Sequence, residues 1–124
     1  ERTNRNGAEQ LIANLESYEL SGSVVELKDV LHLKTGVAYL EHNNLVACGE
    51  FLSHPDFQEF NLIPIDATES YAANCIWVND TVLVPLGFPK TREAIRSVGY
   101  QTVEIDVSEF QKLDGGLSCL SLRF

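Results

Sequence analysis

Three absences narrow what this sequence can be. It has no methionine, its three cysteines form no CxxC pair, and no stretch approaches the ~20 apolar residues of a membrane-spanning helix. Metal sites place cysteine and histidine ligands at short, recurring spacings, which this sequence does not show. We therefore expect no metal, no organic cofactor and no membrane partner.

Positive charge is also scarce. Lysine and arginine together number 9 against 18 aspartates and glutamates, which gives a formal net charge of -9 and a pI of about 4.6. An acidic surface repels nucleic acid and anionic lipid, so no nucleic-acid partner is expected. The charge balance favours a cationic small molecule as the ligand.

The few cysteines indicate a reducing compartment. Cys48, Cys75 and Cys119 are an odd number and form no dense disulfide framework, so we expect a cytoplasmic protein. Cys48 and Cys75 lie inside apolar segments typical of strands. We expect both to be buried thiols.

The composition indicates a single folded domain at most. The chain has 124 residues, of which 44% are hydrophobic, enough to form a core. Without methionine there is no initiator, and the polar opening ERTNRNG leads directly into a helical pattern. We expect that residue 1 is not the start of the gene product, and that the sequence is either a truncated chain or one piece of a longer one.

The apolar pattern repeats about every 40 residues. Each copy is predicted to be strand, strand, helix, strand, and Gly49 and Gly87 end equivalent strands. A ββαβ unit of this size cannot bury its helix and its sheet alone, so stacking around an axis is expected. We predict an α/β fold of about two and a half units. The predicted elements are helices over 8–18, 54–60 and 89–99, and strands over 23–28, 35–41, 45–49, 61–66, 74–79, 81–87, 101–106 and 118–124.

Two side chains with catalytic potential lie near the starts of predicted units. His32 belongs to LHLKTGVAYL and Cys119 to GGLSCLSLRF. Equivalent strand starts converge in a radial array, so these residues can meet as a cysteine nucleophile and its histidine partner. Gly115 and Gly116 allow a close backbone approach or a positive φ beside the thiol. A second interpretation, in which Cys119 is one more small buried hydrophobe, stays open.

Four segments together resemble a known enzyme family. RTNRNGAEQL, LHLKT, YAANCIWVN and LDGGLSCLSLRF are similar to the dimethylargininase (dimethylarginine dimethylaminohydrolase) family of the guanidine-modifying superfamily. The resemblance implies a pentein, or α/β propeller, built from five ββαβ units. It also implies that residues 1–124 are the C-terminal half of a single pentein catalytic domain. The expected partner is the N-terminal half of the same protein, or a second copy through self-association.

The resemblance further implies a role for each candidate residue. Cys119 would be the nucleophile and His32 the general acid and base. Arg2 would hold the substrate α-carboxylate, Asp114 would accept guanidinium N–H groups, and the Leu113 backbone would line the same pocket. The implied reaction converts dimethylarginine to citrulline and dimethylamine through a thiouronium on the cysteine. The acid that orients the histidine lies in the family's N-terminal half, and no residue here matches it.

Other members of the superfamily are alternatives. Arginine deiminases and amidinotransferases usually carry an acid two residues after the histidine, where this chain has Lys34. A non-catalytic pentein, such as the ribosome anti-association factor, need keep neither His32 nor Cys119. Methylated arginine, arginine and other guanidines all stay open as the substrate.

Overall fold

Two small sheets organise the chain. A computed structural model describes residues 3–30 and 32–122. Its strands are β1 Val37–Tyr39, β2 Asn44–Ala47, β3 Asn61–Pro64, β4 Ile76–Val78, β5 Thr81–Pro85 and β6 Gln101–Ile105. Its α-helices are α1 Arg5–Glu16, α2 Leu33–Gly36, α3 Pro89–Ser97 and α4 Ser108–Gln111, and 3-10 helices span Gly49–Leu52, Pro55–Phe57 and Ala67–Ala73.

The two sheets share one topology. The first unit (residues 37–64) orders its strands β1-β2-β3, and the second unit (residues 76–105) orders them β4-β5-β6. In each unit the first two strands are antiparallel and the last two parallel. Gly49 and Gly87 follow the central strands with φ of 57° and 97°. The predicted ββαβ repeat is therefore confirmed, with 3-10 helices in the first unit where the second has α3.

The hairpin turns of the two units share a backbone conformation but differ in length. Glu41, His42 and Asn43 have φ of 71°, 50° and 62°, and Asn79 and Asp80 have φ of 48° and 63°. Tight hairpins favour consecutive left-handed residues because these match the twist of the strands, and asparagine and aspartate tolerate that conformation best. The two copies therefore turn by the same kind of residue, with one more left-handed residue in the first turn than in the second.

One apolar core joins the units. On β2, Val46 faces this core, whereas Leu45 and Ala47 face a second cluster around Phe51 on the other side of the sheet. This alternation is the period of a strand buried on both faces. The shared core contains Leu40, Val46, Cys48, Ile63, Ile65, Ala73, Cys75, Val82, Val84 and Ile95.

The predicted N-terminal helix is present but begins at Arg5 rather than at residue 8. The Asn4 side chain caps it by accepting a hydrogen bond of 2.9 Å from the Gly7 backbone N–H. An asparagine cap satisfies an N–H group that the first helical turn leaves unpaired. Within the described ranges, no helix is long and apolar enough to cross a membrane.

The strand predicted over residues 23–28 is wrong. This stretch has no regular structure, and Val25 and Leu27 pack half-buried against the second cluster. Immediately after it, the backbone N–H groups of Lys28 and Asp29 donate to the Glu50 carboxylate at 3.1 and 3.0 Å. A carboxylate thus takes the donors that a neighbouring strand would otherwise bind.

Two further strand predictions need correction. Residues 33–36 form α2, so only Val37–Tyr39 of the stretch predicted over 35–41 is a strand. Residues 117–120 form a turn rather than the start of a last strand, and residues 123 and 124 lie outside the described residues. Local hydrogen bonds close this turn, because the Gly116 carbonyl accepts from the N–H groups of Cys119 and Leu120.

Candidate active site

His32 and Cys119 line the same open pocket. Its volume is about 1000 Å³, and its walls come from the segment before β1, from Asn74 and from the turn at residues 118 and 119. The structure therefore brings together two chemically capable side chains that are distant in sequence. A concave site with a few convergent polar groups is typical of small-molecule binding.

His32 stands at the entrance to α2. Its backbone is extended, with φ of -133° and ψ of 139°, and its carbonyl accepts a 3.1 Å hydrogen bond from the Thr35 N–H. The imidazole makes no capping hydrogen bond to the helix and is exposed. The side chain is therefore presented to the pocket rather than used to stabilise the helix.

Cys119 differs from the other two cysteines. It is exposed in the turn, whereas Cys48 and Cys75 are buried, as their apolar surroundings predicted. Burial raises the pKa of the Cys48 thiol and raises the pKa of Cys75 to about 12. Since the thiolate is the nucleophile, Cys119 is the thiol best placed for chemistry.

Two residues that sequence reasoning missed support the Cys119 turn. Asn74 is buried and accepts a 2.9 Å hydrogen bond from the Ser118 N–H through its side-chain oxygen. The Tyr71 hydroxyl donates to the Gly115 carbonyl at 2.6 Å. The available signal was the glycine pair, because a Cβ on Gly116 would lie 2.4 Å from the Asn74 side-chain nitrogen. The close approach expected at these glycines is thus present.

Two further predicted site residues, Leu113 and Asp114, are not part of the pocket lining. Leu113 is 84% exposed, and Asp114 is exposed in the turn that follows α4, with φ of 58°. Neither side chain is among those that line the pocket. Arg2 lies outside the described residues.

Charged groups of both signs surround the pocket. Lys28, Asp29 and Lys34 line it beside His32. Backbone hydrogen bonds, the larger from Asp29 and a smaller one from Lys28, hold the pKa of Glu50 below its usual value. This carboxylate therefore stays ionised next to two residues of the pocket lining. Within residues 3–30 and 32–122, no three or more histidine, cysteine, aspartate or glutamate side chains are grouped so as to hold a metal ion.

Comparison with curated proteins gives matches along nearly the whole chain, although no protein-family model matches it. The chain is 64% identical over 123 residues to the N(G),N(G)-dimethylarginine dimethylaminohydrolase of Pseudomonas aeruginosa. This match covers 99% of this chain and 48% of that protein. In sequence, the chain is a relative of the dimethylarginine dimethylaminohydrolases. The enzyme of that name from Streptomyces coelicolor is 32% identical over 98% of this chain and 46% of its own length. The chain thus spans about half the length of these curated relatives.

Solved dimethylarginine dimethylaminohydrolases share the fold. One, a histidine-to-glycine variant as its S-methyl-L-thiocitrulline adduct, is 63% identical with a TM-score of 0.96 over 99% of this chain and 48% of its own. A cysteine-to-serine variant from Pseudomonas aeruginosa, complexed with citrulline, has a TM-score of 0.95 at 63% identity and the same coverage. An amidinotransferase from Microseira wollei, 16% identical, has a TM-score of 0.79 over 97% of this chain and 38% of its own. These neighbours confirm the predicted partial pentein fold.

Proposed function

We propose that this chain supplies the nucleophile and the general acid and base of an enzyme that hydrolyses N-methylated arginine. Dimethylarginine would yield citrulline and dimethylamine. The observation that carries the proposal is that His32 and Cys119 line one pocket. Because the chain spans about half the length of its relatives, the activity is proposed for the complete protein.

The solved relatives support these two residues. One relative has a substituted histidine and an adduct with a thiocitrulline, and another has a substituted cysteine and bound citrulline. By their residue numbers, the substituted histidine and the substituted cysteine of these relatives lie as far apart in sequence as His32 and Cys119 do here. This spacing supports the assignment of Cys119 as nucleophile and His32 as acid and base.

The first half of the proposed reaction makes a carbon–sulfur bond. The Cys119 thiolate adds to the guanidinium carbon, which a bound cation beside the thiol would favour by stabilising the negative sulfur. Protonated His32 then gives its proton to the substituted nitrogen, because a neutral amine leaves far more readily than an amide anion. The carbon–nitrogen bond breaks, dimethylamine departs and a thiouronium stays on Cys119.

The second half restores the thiolate. Neutral His32 takes a proton from water as the water oxygen adds to the thiouronium carbon. The carbon–sulfur bond then breaks, its electron pair returns to sulfur, the remaining hydroxyl proton passes to solvent, and the ureido product citrulline is released. One residue thus acts first as acid and then as base, which suits an imidazole near neutral pH.

Three further roles are proposed from the resemblance. Arg2 would hold the substrate α-carboxylate, and Asp114 would bind the planar guanidinium through charge-assisted hydrogen bonds. The Leu113 backbone would line the same pocket. Neither Leu113 nor Asp114 is among the residues that line this pocket, so these two roles rest on the resemblance alone.

We also propose that residues 1–124 are the C-terminal half of one pentein catalytic domain in a cytoplasmic protein. The N-terminal half would cover exposed apolar side chains such as Leu33, Tyr39 and Leu120, which are 37%, 48% and 47% exposed. Alone, the chain should self-associate through the same surfaces. Sedimentation tests this self-association, because a folded monomer at micromolar concentration would contradict it.

The free cysteines support the proposed cytoplasmic location.

Identification of the released amine tests the proposed activity. The full-length protein is offered dimethylarginine, monomethylarginine and arginine, and the amine and the amino-acid product are identified for each. We expect dimethylamine and citrulline from dimethylarginine. Lys34 lines the pocket where deiminases and amidinotransferases usually carry an acid, which favours methylated arginine. Ammonia from arginine as the main product would instead assign a deiminase.

A further inference from the structure

The turn that carries Cys119 is held by a side chain that lies just before the second unit. Asn74 precedes β4 and is only 8% exposed. Its side-chain oxygen accepts the 2.9 Å hydrogen bond from the N–H of Ser118, the residue immediately before the nucleophile. Asn74 also lines the pocket with Cys119 and His32. The amide is therefore in contact with both the turn and the space where a substrate would bind.

The same amide also fits closely against the first residue of the turn. A Cβ on Gly116 would lie 2.4 Å from the side-chain nitrogen of Asn74 and 2.7 Å from its amide carbon. Gly116 is in turn the residue whose carbonyl accepts from the N–H groups of Cys119 and Leu120, at 3.0 and 3.2 Å. Asn74 thus bonds to the backbone of Ser118 and leaves no room for a side chain on Gly116, and both residues lie within three positions before Cys119.

Tyr71 provides a second anchor from behind. Its hydroxyl donates to the Gly115 carbonyl at 2.6 Å, and its ring packs on Phe88 with centroids 5.5 Å apart. Burial, with a smaller contribution from the charge of Cys119, raises the pKa of Tyr71, so the phenol keeps its proton and stays a donor. Tyr71 does not itself line the pocket.

These contacts answer a physical need. A segment with two adjacent glycines has more backbone freedom than any other dipeptide, whereas a nucleophile must stay within a near-attack distance of its target. We infer that Asn74 is a positioning residue for the Cys119 nucleophile, with Tyr71 as its second anchor. The inference deepens the proposed function, since it names what orients the sulfur toward the substrate.

Four variants of the full-length protein test this role. Asn74→Ala removes the acceptor, Asn74→Asp keeps an acceptor, and Tyr71→Phe removes only a hydroxyl. Tyr100→Phe is the matched control, because that hydroxyl donates to the Glu41 carbonyl at 3.0 Å and Tyr100 does not line the Cys119 pocket. For each variant, kcat and KM for dimethylarginine, the pH profile of Cys119 alkylation and the Tm are measured. Lys28, Asp29, His32 and Lys34, which share the pocket with Cys119, remain unchanged in all four.

Asn74→Ala should lower kcat about 10- to 100-fold and change KM by less than about threefold, because misplacement of a reacting atom mainly costs turnover. Asn74→Asp should recover part of that kcat. Its negative charge beside the thiol should also move the alkylation profile to higher pH, since a like charge disfavours the thiolate. Tyr71→Phe should lower kcat less, and Tyr100→Phe should lower only Tm.

Wild-type kcat together with a wild-type alkylation profile in Asn74→Ala would overturn the inference. If the Asn74 variants do not fold, Tyr71→Phe tests the inference instead. A kcat of Tyr71→Phe equal to that of Tyr100→Phe would then overturn the inference. A wild-type protein that does not hydrolyse dimethylarginine would instead overturn the proposed function. In that case the alkylation profiles of Asn74→Ala and Asn74→Asp still decide whether Asn74 positions Cys119.

Discussion

The two ββαβ units and the pocket beside them are built in different ways. In the units, β2 alternates between two apolar clusters, residues of both units share one core, and a glycine with positive φ follows each central strand. At the pocket, His32 and Cys119 are exposed and lie outside the strands, one before a single-turn helix and one in a closing turn. Residues that stabilise the fold are therefore largely separate from residues placed for chemistry. Substitutions in the two regions should have different consequences.

Glu69 represents the stabilising region. It is 8% exposed and accepts hydrogen bonds from the backbone N–H groups of Lys90 and Thr91 at 3.2 and 2.7 Å, and from the Thr91 hydroxyl at 2.8 Å. It thus binds the free N–H groups at the start of α3, where a negative charge is favoured. Glu69 does not itself line the pocket, although it lies on the same 3-10 helix as Tyr71.

The largest expected effect is on turnover at the pocket. Cys119→Ser in the full-length protein should lower citrulline production from dimethylarginine by at least roughly 10³-fold, because an unactivated hydroxyl is a far weaker nucleophile than a thiolate. Cys48→Ala is the matched control, since Cys48 is buried away from the pocket. Equal turnover in the two variants would remove the distinction between the regions.

The next effect is on thiol reactivity. Iodoacetamide at pH 8 should label Cys119 much faster than Cys75, because Cys119 is exposed whereas a pKa of about 12 leaves about one Cys75 thiol in 10⁴ ionised. Cys48 should also label slowly, since burial raises the pKa of its thiol. Peptide mapping after a brief exposure measures the ratios. Preferential labelling of Cys48 would show that this thiol, which follows β2, is not buried as the structure indicates.

A smaller effect is expected in the units. Glu69→Ala should lower the free energy of unfolding by about 2–3 kcal/mol, because it leaves donors at the start of α3 without their charged acceptor. Urea unfolding of the full-length protein measures this loss, and the exposed Glu93→Ala on the same helix is the control. The rate of Cys119 alkylation should not change. A matching change in alkylation would mean that α3 and the pocket are coupled.

The smallest effect is on acid stability. Burial would raise the pKa of Glu69, but the hydrogen bonds from Thr91 and Lys90 outweigh it and lower the pKa below its usual value. The carboxylate therefore stabilises the fold above the pKa of an unfolded glutamate, about 4.3, and that contribution is lost as the pH falls through the lower folded value. Glu69→Gln should make the free energy of unfolding less dependent on pH in this acidic range. The same pH dependence in Glu69→Gln and in the wild type would contradict the lowered pKa of Glu69.

The repeat was predictable from the sequence because its signals are local. Alternating apolar residues, Gly49 and Gly87, and the turn at Asn79 and Asp80 each specify structure within a few residues. Residues 23–28 and 118–122 contain similar apolar runs but are not strands. A strand needs a partner, and a run of apolar residues does not say whether one is available.

The candidate site was predictable only in part. His32 and Cys119 stand in short motifs whose residue types indicate the chemistry. From the sequence, Asn74 was predicted to be the first residue of a strand. Its hydrogen bond with Ser118 joins residues 44 positions apart, and such a contact leaves no local pattern in the sequence. The glycine pair indicated that another group would lie close to the backbone there, but the sequence did not show that this group is Asn74. Such long-range contacts emerge only when the chain is folded.

Detection of the covalent intermediate tests the central claim most directly. The full-length protein is quenched in acid during turnover of dimethylarginine, digested, and analysed by mass spectrometry. We expect a mass increase, matching the thiouronium, on the peptide that contains Cys119 and on no peptide that contains Cys48 or Cys75. The increase should be absent from Cys119→Ser. An adduct on another cysteine, or undiminished citrulline production by Cys119→Ser, would show that Cys119 is not the nucleophile.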